Sequence, residues 1–85
     1  MDREELQLEL QDNECLLADG FETALIGITD GMNPVAIYDT FLCIKILMEE
    51  GMSEIDAIEH FYYNVAGSYV GEKTPVFVKQ LTNNS

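Results

Sequence analysis

An excess of acidic side chains combined with a large apolar fraction constrains this chain most. Its 85 residues carry sixteen Asp and Glu against four Lys and Arg, a formal net charge of −12, while 47% of the residues are hydrophobic. Disordered acidic segments contain few aliphatic and aromatic residues, and this chain contains many. The sequence therefore predicts one small folded domain with an anionic surface.

The sign of the charge limits the kinds of partner. Residues 4–44 contain no Lys or Arg but contain nine of the acids. Direct binding to DNA or RNA requires basic patches, so the charge argues against it. An acidic surface suits a basic protein surface instead, although acids can also serve only to keep a small apolar domain soluble.

The two cysteines and the hydropathy pattern bear on location. Cys43 lies within the apolar run FLCIKILM, which predicts a free, buried thiol, and two cysteines make no disulfide framework. No apolar run approaches the roughly 20 residues of a membrane-spanning helix. The first residues, MDREELQLELQ, are acidic and amphipathic, unlike a secretory leader. We expect a cytoplasmic protein with reduced cysteines.

The first half of the chain predicts a helix and a hairpin. Leucines alternate with polar residues between positions 6 and 11, as in a strand, but the composition and a capping Asp2 favour a helix. Two short apolar runs follow, residues 23–28 and 34–38. The segment TDGMN between them has the residues of a tight turn, which indicates a β-hairpin.

The second half predicts two helices and a strand. Asp39 caps a helix over residues 40–50 that is apolar almost all round, so we expect it to be covered on most sides. Gly51 ends it, and Ser53 begins a second helix over residues 54–65. The expected buried stripe of that second helix, with Phe61 beside it, is Ile55, Ile58, Tyr62 and Val65. Residues 75–79, PVFVK, predict a third strand.

These elements give the order ββααβ and an α+β fold class. We expect an antiparallel sheet of about three strands with two helices packed on one face, and a possible extra N-terminal helix. The predicted organisation is an acidic N-terminal segment over residues 1–18, one compact domain over residues 19–80 and a frayed tail over residues 81–85. Too few elements exist to cover the apolar helix and both sheet edges, so a homodimer is expected.

Motifs for catalysis and for cofactors are missing from the sequence. His60 is a single histidine without a triad partner placed by sequence, and no metal-binding spacing occurs. The segment GSYVGEK lacks the spacing of a phosphate-binding loop. We therefore expect no enzyme, no cofactor and no metal site.

Four short motifs stand out in the sequence: DGF at residues 19–21, AxYD at residues 36–39, GMS at residues 51–53 and FxxNVxGxxVGExTP at residues 61–75. In these motifs the chain resembles a group of small acidic proteins encoded by phages, prophages and some bacteria. The resemblance covers residues 19–78. It brings no catalytic residue, and it implies a phage-type accessory protein acting inside a bacterial cell.

Three functions stay open at this point. The first is an interaction protein that occupies a basic surface of a host protein, such as the nucleic-acid channel of a CRISPR or restriction effector. The second is a dimeric structural or adaptor domain whose charge only confers solubility. The third is a small-ligand binder or small enzyme that uses the loop over residues 64–75. The residues predicted to bind a partner are Glu49, Glu50, Glu54, Glu59, Tyr69 and Glu72.

Overall fold

The computed structural model describes residues 1–68 and 71–81. Its helices are α1 (Arg3–Asp12), α2 (Thr40–Glu49) and α3 (Glu54–His60), and its strands are β1 (Leu25–Ile28), β2 (Ala36–Asp39) and β3 (Val76–Val78). A 3₁₀ turn, Glu22–Ala24, precedes β1, and a π-helical segment, Phe61–Ala66, continues α3. The α+β class and the order of elements are confirmed.

The sheet has the strand order β1-β2-β3 and is mixed. Strands β1 and β2 pair antiparallel, which confirms the predicted hairpin. Next to its turn, the Thr29 backbone N–H donates to the Val35 carbonyl at 2.9 Å. Strand β3 pairs with β2 in parallel, so the sheet is not antiparallel throughout. The two helices between β2 and β3 explain this direction, because such a crossover returns the chain to the same end of the sheet.

The predicted N-terminal helix is also present and belongs to the core. Asp2 accepts a hydrogen bond from the Glu5 backbone N–H, and the Glu5 side chain accepts one from the Asp2 backbone N–H, which forms a complete capping box. Leu6 and Leu10 are buried in the same apolar cluster as the sheet and the other helices. Residues 1–18 therefore pack with the rest of the chain, and the predicted tail lies mostly outside the described residues.

Asp39 joins the end of β2 to the start of α2. Its carboxylate accepts hydrogen bonds from the Leu42 backbone N–H and from the Gln80 side chain, both at 2.8 Å. Every other acidic side chain is exposed, whereas Asp39 is buried. Its charge is thus used to cap a helix and to fix the chain after β3.

Helix α2 is less covered than its composition predicts. Cys43 and Leu47 are buried on its inner side, but Phe41 is 57% exposed and Met48 is 40% exposed. The expectation that most sides are covered was wrong, because α2 packs on its inner side against α3, β2, the 3₁₀ turn and the π-helical segment. A chain this short has few further elements to cover the outer side. An apolar outer side of α2 is left in contact with solvent.

Candidate functional site

Local signals in the sequence set where α3 begins. Gly51 adopts φ of +111°, a left-handed conformation that favours glycine, and this ends α2. The Ser53 hydroxyl then accepts a hydrogen bond from the Asp56 backbone N–H at 3.2 Å. Glu54 and Asp56 lie in the first turn, where negative charge interacts favourably with the helix dipole. The start of this acidic helix therefore follows directly from its sequence.

The face by which α3 and its π-helical continuation pack agrees only in part with the prediction: Phe61 and Val65 are buried as expected, whereas Ile55, Ile58 and Tyr62 are not. Ala57 and Phe61 are fully buried, and Val65 is 7% exposed, so these three residues form the inner stripe. Phe61 contacts the Phe77 ring edge to face with centroids 5.1 Å apart. Because Ala57 is small and Phe61 is planar, this side of the helix can pack closely against the neighbouring elements. The larger side chains of Ile55, Ile58 and Tyr62 then face outward.

Three residues predicted to be core are instead on the surface. Ile55 is 70% exposed, Tyr62 is 46% exposed and Ile58 is 37% exposed. Ile55 and Ile58 are three residues apart and lie on one side of α3. Tyr62 follows four residues after Ile58, in the π-helical segment that continues α3. The prediction that they are buried was wrong, because the sequence contains two apolar stripes on this segment and only packing selects between them.

Acidic residues flank this exposed stripe. Glu54 lies one turn before Ile58, and Glu59 lies one turn after Ile55, and both carboxylates are exposed. We call the set Ile55, Ile58, Tyr62, Glu54 and Glu59 the α3 outer face. Of the residues predicted to bind a partner, Glu54 and Glu59 lie on it. The apolar members were missed as partner-binding residues, although Ala57, which extends the line of Phe61 and Val65 inward, was a signal that a second stripe could pack instead.

Tyr62 contacts one buried aromatic ring. Its ring contacts the buried Phe61 ring edge to face, with centroids 5.1 Å apart. The π-helical segment begins at Phe61 and carries Tyr62 and the 81%-exposed Tyr63 outward. Short π-helical stretches are frequent at functional sites, where they redirect side chains.

The remaining predicted site residues lie elsewhere. Glu49 is the last residue of α2 and Glu50 is its C-cap, and both are exposed. Glu72 is exposed in the turn before β3. Tyr69 lies outside the described residues. Acidic side chains also lie along α1 and in the connections, so the carboxylates are not confined to one face.

The side chains that could take part in catalysis are His60 and the two cysteines, and their surroundings are those of structural residues. His60 is half-buried, and its Nδ1 atom lies 3.4 Å from the Asn64 side-chain nitrogen. Both cysteines are free thiols, and burial, together with the nearby charge of Asp39, raises the pKa of Cys43 to about 12. A thiol with that pKa stays protonated at neutral pH and is a poor nucleophile. Within residues 1–68 and 71–81, no three His, Cys, Asp or Glu side chains are placed to hold a metal ion.

The cavities are small or shallow. A cavity of about 210 Å³ lies between α1 and the segment before β1, lined by Gln7, Gln11, Asp19, Glu22 and Tyr38 among others. Small-molecule sites usually enclose roughly 300–1,000 Å³. A larger cleft of about 490 Å³ between the start of α1 and β1 is open to solvent.

Comparisons with known proteins add no assignment. No protein family, curated protein or solved structure matches this chain. In the part of the chain that the structure describes, no helix is long and apolar enough to cross a membrane.

Proposed function

We propose that this chain is a phage-type acidic interaction protein that binds a basic surface of a protein in the bacterial host. The observation that supports this proposal is the exposure of every acidic side chain except Asp39, in a chain with only four Lys and Arg. Carboxylates at the surface of a small domain can occupy a channel that normally binds phosphates. Nucleases of host defence, of the CRISPR or restriction type, are the class of partner we propose.

Electrostatics determines how such a protein would act. Long-range attraction raises the association rate with a basic partner, and salt lowers it by screening. Glu54 and Glu59 lie on both sides of the exposed Ile55 and Ile58 of α3. Contact with a partner would remove water around these two carboxylates, and their pairing with Lys or Arg would then be stronger than at an open surface.

A charge-reversal experiment tests the proposal. The variant Glu50→Lys, Glu54→Lys and Glu59→Lys is compared with a matched variant on α1, Glu4→Lys, Glu9→Lys and Asp12→Lys, which changes the net charge equally. Affinity purification from a bacterial lysate identifies bound proteins, and cleavage assays with the captured nuclease measure inhibition. We expect the first variant to lose capture and inhibition, and the second to lose less.

Two outcomes would contradict the proposal. One is retention of the same proteins by both variants without any salt dependence, which would leave the acids with a role in solubility only. The other is loss of activity in Tyr69→Ala while both reversal variants remain active. That result would favour the loop over residues 64–75 and a small-ligand function.

Self-association is a second candidate function, and the outer side of α2 favours it. Phe41, Leu42 and Met48 are exposed there. Lys45 lies among them and four residues before Glu49, so this surface carries both signs of charge. A two-fold copy could pair Lys45 with the partner copy's acids, as a dimeric adaptor would require. Sedimentation of the wild type and of Met48→Glu tests this, since a dimer through α2 should dissociate in the variant.

A further inference from the structure

We propose that the α3 outer face is the docking site for a basic amphipathic helix of the partner. The inference rests on the proposed function and assigns it to one surface. The partner segment would present an apolar ridge with Lys or Arg on both sides. Three properties of α3 support this choice: an exposed apolar stripe, a fixed aromatic side chain and acids on both flanks.

The apolar stripe is the first property. Ile55, Ile58 and Tyr62 expose much of their surface although the same segment has a separate buried stripe. Apolar side chains that are not needed for the core and lie together on one helix side are typical of an interaction site. A partner helix covers such a stripe by placing its own apolar residues at spacings of three and four.

The fixed aromatic side chain is the second property. The Tyr62 ring contacts the fully buried Phe61 ring edge to face, and the Phe61 ring also contacts the ring of Phe77 in β3. A side chain already ordered in the free protein loses less conformational entropy when it binds. Tyrosine is also enriched among the residues that dominate binding energies, because it combines a large apolar ring with a hydroxyl group.

The distribution of charge is the third property and determines the kind of partner. Glu54 and Glu59 lie on opposite sides of the stripe, and residues 54–66 contain no Lys or Arg. A second copy would place its own acids against these acids, and an anionic membrane surface would be repelled in the same way. A helix with basic residues on both flanks of its apolar ridge complements the apolar stripe and the acids on either side of it.

Two synthetic peptides test the inference. The first has about 18 residues, with leucines at helical spacing and lysines on both flanks, and the second has the same composition in an order without amphipathic periodicity. Binding of each labelled peptide to the full chain is measured by fluorescence anisotropy at two salt concentrations. Four proteins are compared: the wild type, Ile55→Ala with Ile58→Ala, Glu54→Gln with Glu59→Gln, and Leu8→Ala. Leu8→Ala is the control, because Leu8 is also an exposed apolar residue (57% exposed) but lies on α1, away from the α3 outer face.

We expect the amphipathic peptide to bind at least about tenfold more tightly than the scrambled one. The isoleucine variant should lose that preference, the glutamine variant should lose affinity and salt dependence, and Leu8→Ala should match the wild type. Thermal unfolding confirms that each variant is folded. If the double variant unfolds, Ile55→Ser alone supplies the test, since its side chain is already mostly in solvent.

Equal binding of the two peptides, with strong salt dependence, would overturn this inference while leaving the proposed electrostatic function intact. Absence of binding to either peptide would overturn the inference as well. Salt-independent capture of host proteins by the charge-reversal variants would instead contradict the proposed function. Dissociation of a homodimer by the isoleucine variant would assign this face to a second copy and would also overturn the inference.

Discussion

The hydroxyl group of Tyr38 lies 2.9 Å from the backbone nitrogen of Ala18 and accepts its hydrogen bond. Tyr38 is on the central strand β2 and Ala18 belongs to the segment that connects α1 to the sheet, and both residues are 1% exposed. This contact is one reason why the N-terminal segment packs as part of the domain. A buried N–H without a partner would be costly, so the hydroxyl group at this place fixes the path of the chain.

The first prediction follows from this contact. Tyr38→Phe keeps the ring, which stacks on Phe77 with centroids 5.7 Å apart, but leaves the Ala18 N–H without the hydroxyl group. We expect the free energy of unfolding to fall by about 1–3 kcal/mol, measured by urea denaturation. Tyr63→Phe is the control, because Tyr63 is 81% exposed, and it should leave the midpoint unchanged. Equal midpoints for Tyr38→Phe and the wild type would show that the hydrogen bond does not matter.

The second prediction concerns the end of α1. Glu14 has φ of +54°, and the Cys15 N–H donates to the Leu10 carbonyl, which is the arrangement that usually has glycine at this position. Glu14→Gly should therefore raise the free energy of unfolding by about 1 kcal/mol, because the relief of the left-handed strain exceeds the chain entropy that glycine loses on folding. It also removes a negative charge from the end of a helix, where negative charge is unfavourable. Glu14→Gln separates the two causes, because only the glycine variant relieves the backbone; a gain of equal size in both would refute the backbone explanation.

The third prediction compares the inner and outer apolar residues of the two helices. Leu47 is 3% exposed and Ile55 is 70% exposed. We expect Leu47→Ala to cost about 2–5 kcal/mol of stability and Ile55→Ala less than about 0.5 kcal/mol. Denaturant midpoints measure both. A large loss in Ile55→Ala would mean that the stripe predicted from the sequence is buried after all.

The fourth prediction concerns the reactivity of the two cysteines. Burial first, and the charge of Asp39 second, raise the pKa of Cys43 from 9.0 to about 12, so its thiol stays protonated in the folded protein at pH 8. We expect Cys43 to resist alkylation under native conditions and to react in urea, with Cys15→Ser used to isolate its signal. Rapid native alkylation of Cys43 would contradict its burial.

The same pKa shift has a consequence at high pH. The unfolded thiol ionises above pH 9 while the folded thiol stays protonated up to about pH 12. A raised pKa in the folded state contributes stability that is complete below the unfolded pKa and is lost as pH rises towards the folded pKa. We expect the free energy of unfolding of the wild type to fall more between pH 9 and pH 12 than that of Cys43→Ala. Parallel curves of this free energy against pH for the two proteins would contradict the prediction.

Local patterns predicted most of the elements. Asp2, Asp39 and Ser53 each cap the helix that follows, and the turn between β1 and β2 lies where its residues indicated. These predictions succeeded because capping and turn formation depend on a few neighbouring backbone groups, which the sequence determines directly. The acidic surface likewise follows from composition, since charged groups remain in water unless they are paired.

Tertiary packing decided what local patterns left open. The segment over residues 54–65 contains two apolar stripes, and the stripe with Ala57 and Phe61 became the inner one because it fits against α2 and the Phe77 ring. The direction of β3 was also decided by the path of two helices, because a strand can pair in either direction. Helical periodicity states which residues share a side, but only the shape of the surrounding elements determines which side loses contact with water.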